Sequence, residues 1–387
     1  MAKKRVGLAV CYDTKNFGSQ LQVLATDKKI KELGYKTEII RYKKKLSFIF
    51  ALQTFPRFFN PMFVTSKMSS KKRKKLINSY PDIASKVRVR NTRFDKFADE
   101  HFDNVSMYYN GWKNLKKASE DYDAFLCGSD QLWLPQNLGS HFYTLEFVSD
   151  NKPKIAYATS FGVSRIPWFQ KKRTKKYLNK FYALSTRELK GQEIIEELIG
   201  KKAEVVCDPT LLFDAKGWSN LIEEKKIIDE PYVFCYFLGK NEEHRTIANE
   251  FAKEKRLKIV SCPFLDNFVE ADISFGDKQM FDLDAADFVN LIRHADYILT
   301  DSFHGTVFSI LHHKQFITFN RFGNEVGSRN SRIDSLCEIL HLNGRRYSGN
   351  IIEQADEEIN YEVTDKLLEE IRDKSYEYLK KSLEVIK

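Results

Sequence analysis

Pairs of cysteines at metal-binding spacing are missing from this chain. Its six cysteines, Cys11, Cys127, Cys207, Cys235, Cys262 and Cys337, include no CxxC, which argues against a zinc site. Cys11, Cys127, Cys207 and Cys235 lie in or beside strand-like runs, the pattern of free buried thiols in a reducing compartment. Long apolar runs are missing too, since none reaches the roughly 18 residues of a membrane span. The opening "MAKKRVGLAVCYD" has too short an apolar part for a secretory signal and leads directly into a strand. A cytoplasmic protein is expected. There is no GxGxxG, no nucleophile elbow, no His-x-His and no Asp/Glu pair at metal spacing, so dinucleotide binding, a serine-hydrolase triad and a bound metal are not expected. Internal repeats and low-complexity tracts are absent.

Positive charge and aromatic rings are what the chain has in plenty. Its 63 Lys and Arg outweigh 53 Asp and Glu, for a net charge of +10, and there are 30 Phe and 18 Tyr among 387 residues. So many rings imply a packed core. The charge concentrates in "RYKKK" (41–45), "SKMSSKKRKK" (66–75) and "QKKRTKK" (170–176). No nucleic-acid-binding module accompanies it, so nucleic acid is not an expected partner. An anionic small substrate, or an anionic membrane surface carrying a lipid-linked substrate, suits the charge.

Periodicity predicts two α/β halves. "KRVGLAVCY", "GSQLQVLATDKKIKEL" and "KTEIIRY" form a strand, helix and strand, hence a parallel βαβ unit. Residues 46–105 are expected to be a helical insertion, whose aromatic and basic part either contacts a membrane interface or caps the active-site cleft. Strands follow at 122–128, 153–162, 182–188 and 202–213, and Pro209 opens an expected linker over 209–230. A second strand–helix series fills 231–350. Residues 360–387 are expected to be an amphipathic helix. The fold class is α/β: two Rossmann-like doubly wound domains facing a cleft, the first over 1–208. Ligands in such sheets gather beyond the carboxyl ends of strands.

Several motifs stand at those ends. "NFGSQLQ" presents Asn16, Gly18 and Ser19 where the first helix starts, suited to an anion or a sugar hydroxyl. "CGSDQLWLP" offers Ser129, Asp130, Gln131 and Trp133, a mixture of acceptors, donors and a flat ring that suits a sugar. "YATSFG" ends at Ser160, and "LSTRE" presents Arg187 and Glu188, the arginine fitted to a carboxylate or phosphate. "TDSFHGTVFS" is the most informative. It sets Asp301, Ser302, His304 and Gly305 at a strand–helix junction, with an imidazole placed to touch an anion and exchange a proton. Arg321, Arg329 and Arg332 follow the next strand as a second anion clamp.

Taken in order, "NFGSQLQ…LGYKTEIIRY", "YDAFLCGSDQLW", "YATSFG", "LSTRE", "CDPTLL" and "ADYILTDSFHGTVFSI…QFITF…NSRIDSL" resemble the polysaccharide pyruvyl transferase family over roughly residues 7 to 340. The resemblance implies a fold similar to the two-domain GT-B glycosyltransferases. It implies phosphoenolpyruvate as co-substrate, no cofactor, and a hexose acceptor, galactose foremost, in a lipid-linked cell-surface glycan precursor at the inner face of the membrane. The product is a pyruvate ketal across two hydroxyls, and phosphate is released. Arg187 and His304 are the expected donor-binding pair. One of Arg321, Arg329 and Arg332 is expected to join them, and Asp130 and Gln131 to face the acceptor. Asp130, Asp301 or Glu188 is the base toward the hydroxyl. Two rival expectations remain: a nucleotide-sugar-dependent GT-B glycosyltransferase, and a non-catalytic glycan-binding protein.

Overall fold

The structure is a computed structural model that describes residues 3–45, 71–72, 74–135, 141–321 and 330–386. Short apolar runs form β1 (Arg5–Ala9), β2 (Lys36–Lys43), β3 (Val105–Asn110), β4 (Ala124–Cys127) and β5 (Lys154–Ala156). They lie parallel in the order β3-β2-β1-β4-β5. After a small ladder of β6 (Ser185–Thr186) with β7 (Glu204–Val205), the pattern recurs. The second set is β8 (Tyr232–Tyr236), β9 (Lys258–Ser261), β10 (Lys278–Gln279), β11 (Tyr297–Thr300) and β12 (Gln315–Thr318), parallel in the order β10-β9-β8-β11-β12. The central strands β4 and β8 are buried along their whole length, as strands covered on both faces must be. In both sheets the winding reverses between the first and fourth strands, β1/β4 and β8/β11, and a crevice opens at each reversal.

The helices, in chain order, are α1 (Phe17–Glu32), α2 (Pro81–His101), α3 (Trp112–Ala118), α4 (Trp168–Leu178), α5 (Leu189–Ile199), α6 (Ala215–Leu221), α7 (Glu242–Lys255), α8 (Ala285–His294), α9 (Phe303–Leu311), α10 (Ser331–Ile339), α11 (Ile351–Asp356) and α12 (Tyr361–Glu384). Among the described residues no helix is long and apolar enough to cross a membrane.

Two expectations change. The stretch 46–105 is less an insertion than a crossover, because α2 leads into β3, which pairs with β2. β3 is an edge strand with a single buried residue, so its apolar alternation is too weak to read. The aromatic part of that stretch, 46–70, lies outside the described residues. The expected linker also carries structure of its own, a 3-10 turn at Pro209–Leu212 and then α6.

Phe17, the first residue of α1, wedges between the two sheets. It stacks on Phe288 of α8 at 5.0 Å and meets Tyr236 of β8 at 5.8 Å and Phe94 of α2 at 5.4 Å. The terminal helix α12 then crosses back to the N-terminal half. Tyr378 Oη donates to Ala156 O, Arg372 Nε to Leu211 O, and Tyr35 Oη to Leu383 O, each within 2.9 Å.

Trp218 of α6 is wholly buried, donates its indole N–H to Thr210 O at 2.8 Å, and meets Phe213 and Phe308 edge-on. Trp218→Ala is expected to cost about 3–5 kcal/mol by opening a cavity there. A urea titration reads this as a lowered midpoint.

Candidate active site

Four strand ends and two helix starts converge where the halves meet. Ser302 caps α9, its Oγ accepting the Gly305 N–H at 3.2 Å. Asn16 caps α1, its Oδ1 accepting the Ser19 N–H at 3.2 Å. These two N-termini face each other. A Cβ added to Gly18 would lie 2.0 Å from His304 Nδ1. Glycine is therefore required at position 18 by an imidazole arriving from the other half of the molecule.

At the centre is Arg187, just after β6, with no side-chain exposure. One guanidinium nitrogen reaches Asp208 Oδ2 at 2.6 Å and the other Asp130 Oδ1 at 3.1 Å. Its Cζ lies 4.6 Å from the centroid of the Phe303 ring. Burial alone would pull the guanidinium pKa down, but Asp208, Asp130 and Glu188 outweigh it and hold Arg187 above its ordinary value. Asp208 is wholly buried, also holds Ser129 Oγ and Thr210, and stands 3.7 Å from His304 Nε2, which has no hydrogen-bond partner among the described residues. Burial pushes its carboxyl up, yet His304, Arg187 and Thr210 overcome this and keep it far below the ordinary range.

Asp130 follows Gly128, whose φ of 133° only glycine adopts readily and where a Cβ would sit 1.8 Å from Tyr157 O. Its Oδ1 accepts the Gln131 N–H and Arg187, and its Oδ2 accepts Ser19 Oγ at 3.1 Å. Burial is again outweighed, by Arg187, His304 and Arg332, so Asp130 stays ionised. Glu188 is the opposite case. Its Oε1 accepts Ser160 Oγ at 2.8 Å and the Phe161 N–H at 3.2 Å, while Oε2 is buried without a partner. Here burial wins over Arg187 and Arg332, and the carboxyl pKa rises.

Arg332, from the first turn of α10, completes the cluster. It is buried, its Cζ stands 5.8 Å from the Phe303 ring, and its Nε has no hydrogen-bond partner. Burial and the charges of Arg187 and Arg321 bring its pKa down to about 9. Two guanidinia thus share one ring, and among the described residues only Arg187 is ion-paired, to Asp208 and Asp130.

The sequence-derived residues divide. His304, Arg187, Asp130, Gly18, Ser19, Asn16, Ser302 and Arg332 come together. Gln131 stands at the edge, its side-chain N–H2 buried and without a partner. Asp301 is corrected as a candidate base: both oxygens accept backbone N–H groups, from Leu238 at 2.6 Å and Gly239 at 2.8 Å, so it braces the loop after β8. Arg321 is anchored on Asp301, at its backbone oxygen (3.1 Å) and Oδ1 (3.7 Å). Gly305 spends its N–H on the Ser302 cap, so the unspent N–H groups of that turn are those of Phe303 and His304. Trp133 is corrected as a sugar platform, because it is wholly buried among Phe161, Tyr177 and Phe181 with its N–H on Tyr143 O. Ser129 and Ser160 are wholly buried and hold Asp208 and Glu188. Arg329 lies outside the described residues. Asp208 was not foreseen in any role, although a carboxylate directly after a strand, in "CDP", was the available signal; nor was Phe303.

Two doubly wound sheets with an ionic site between their switch points define a GT-B-like α/β protein. Solved structures agree on the fold. A UDP-GlcNAc 2-epimerase from Methanocaldococcus jannaschii aligns with 95% of this chain and 92% of its own, at TM-score 0.50 and 11% identity. A protein from Listeria monocytogenes described as a UDP-N-acetylglucosamine 2-epimerase aligns over 95% and 91%, at TM-score 0.51 and 11% identity. At that identity the likeness is one of fold alone. No curated protein matches the chain. The family model "Polysaccharide pyruvyl transferase" matches residues 16–321, and the chain belongs to that family of enzymes.

Asp208→Asn is expected to destabilise the protein by about 3 kcal/mol at pH 7, since Arg187 then keeps a single carboxylate in a dry site. A depressed native pKa contributes stability above the ordinary carboxylate range and loses it as pH falls. The difference from wild type should therefore narrow below about pH 4. Urea midpoints at several pH values measure it.

Proposed function

We propose that this enzyme transfers the pyruvyl group of phosphoenolpyruvate to a hexose of a cell-surface glycan precursor, with galactose the first acceptor to test, forming a ketal and releasing phosphate. The observation that carries the reading is Arg332: a buried guanidinium with no acceptor on its Nε, beside Arg187, His304 and the start of α9. A small substrate with two anionic groups answers that excess of cations and N–H donors. A carboxylate and a phosphate on three carbons fit the description. No cofactor enters the scheme.

Chemistry follows from two carboxyls whose pKa values are pushed apart. Glu188, whose hold on its proton burial strengthens, gives a proton to the methylene carbon, and C2 becomes oxocarbenium-like. One sugar hydroxyl forms a bond to C2 and passes its proton to Asp130, which is ionised. His304, oriented by Asp208, supports the phosphate as its bond to C2 breaks. A second hydroxyl of the same sugar closes the ketal, and its proton leaves with phosphate. Gln131 and Ser19 line the acceptor side beside Asp130. The exposed cations Lys71, Lys72, Lys74 and Lys75 favour an enzyme held at an anionic membrane face where a lipid-linked acceptor resides.

Incubation of the protein with phosphoenolpyruvate and a panel of hexosyl acceptors tests the reading by mass spectrometry. A pyruvate-ketal mass gain with stoichiometric phosphate supports it. Turnover of nucleotide sugars on the same panel, with phosphoenolpyruvate untouched, replaces it with glycosyl transfer.

Glu188→Gln separates the proton donor from the scaffold. A carboxyl with a raised native pKa penalises folding as pH climbs above the ordinary range, and glutamine removes that penalty. The variant should melt no lower than wild type at pH 7 and lose at least about 100-fold in kcat.

A further inference from the structure

A second cationic cavity adjoins the Phe17 wedge through Arg90. It encloses about 540 Å³ between the β1–α1 loop, α2 with the preceding helical residues 74–78, and the 264–266 loop beyond β9. That volume is ordinary for a small-molecule site. Lys15, Lys74, Arg88 and Arg90 line it, against one carboxylate, Asp266.

The four cations differ in what they already hold. Lys15 is paired with Asp95 at 2.5 Å. Arg90 is buried, lies 4.5 Å from the Phe94 ring and 5.2 Å from the Phe17 ring, and donates only to Lys15 O, at 2.7 Å. Burial lowers its pKa by more than Cys262, Tyr236 and Asp266 nearby raise it. Among the described residues neither Lys74 nor Arg88, both exposed, forms an ion pair. With Arg90 buried and one carboxylate, Asp266, sharing the concave wall with them, the excess of positive charge suits an anion from outside.

We propose that this cavity holds a phosphoryl group carried by the acceptor, so that the enzyme binds two anions at once, one on the donor and one on the sugar's carrier. This rests on the pyruvyl-transfer reading for the identity of the acceptor. Position favours it. Lys15 and Gly18 are three residues apart, so the cavity wall comes within about 10 Å of the glycine that touches His304. The donor cluster has its own cations, Arg187 and Arg332, and shares no lining residue with this cavity. An anion here is therefore additional to phosphoenolpyruvate. Both lobes contribute to the wall, so a bound phosphoryl group would also tie α2 to the loop after β9.

The test compares one accepted hexose in two forms, as its citronellyl diphosphate and as its neutral octyl glycoside, in wild type and in the double variant Lys74→Ala/Arg88→Ala. Wild type should favour the diphosphate by about tenfold or more in kcat/KM, and the variant should lose that ratio. An unchanged ratio overturns the proposal. If neither form accepts pyruvate, the functional reading has failed, and calorimetry with inorganic pyrophosphate under saturating phosphoenolpyruvate judges the cavity alone. Binding weakened about tenfold in the double variant sustains it, whereas equal binding or none in wild type refutes it.

Discussion

A guanidinium sealed from water survives only beside carboxylates, and the site is arranged around that constraint. Arg187 is held by Asp208 and Asp130, which come from separate segments of the N-terminal half. Those carboxylates in turn fix Ser129, Thr210 and Ser19, and Asp208 stands 3.7 Å from the His304 ring of the opposite half. Each partner thus fixes another part of the cleft. Such a network costs desolvation at every member, so its value lies in specifying one geometry more than in raw stability. Phe303 gives the network an apolar floor, and Arg187 and Arg332 lie against it.

The same network sorts the titratable groups. Asp130 sits where arginine charge reaches both its oxygens' surroundings and stays ionised, while Glu188, one residue beyond Arg187, has an oxygen with nothing to bind. Two like side chains within one ionic cluster are therefore shifted in opposite directions, the separation that acid–base chemistry on one substrate draws on. Phosphoenolpyruvate as the donor, and the hexose, remain our proposals. Membership of the family and the doubly wound fold stand on the matched model and the topology.

Much of the fold was legible because buried parallel strands are continuous apolar runs, as "YVFCY" and "YILT" are, and helices such as α8 carry periodic apolar faces. The edge strand "VSMYYN" was not, since only one of its residues is buried. In the site, residues at strand ends were found by the rule that ligands gather there: Arg187, His304 and Asp130 follow β6, β11 and β4. The rule could not distinguish side chains aimed at the cleft from those turned inward, which is why Trp133 and Asp301 were misassigned. Asp208 was missed because its importance comes from Arg187 and His304, partners far away in the chain. Arg332 stood out from Arg321 only when Asp301 was seen to occupy the latter.

The return of α12 has a consequence for biogenesis. Ser375, Tyr378 and Leu383 bond to Cys207, Ala156 and Tyr35, so a helix that follows the second lobe covers surface built by the first half. On the ribosome the half made first is the half finished last. It waits, with that face uncovered, until the whole second lobe has emerged.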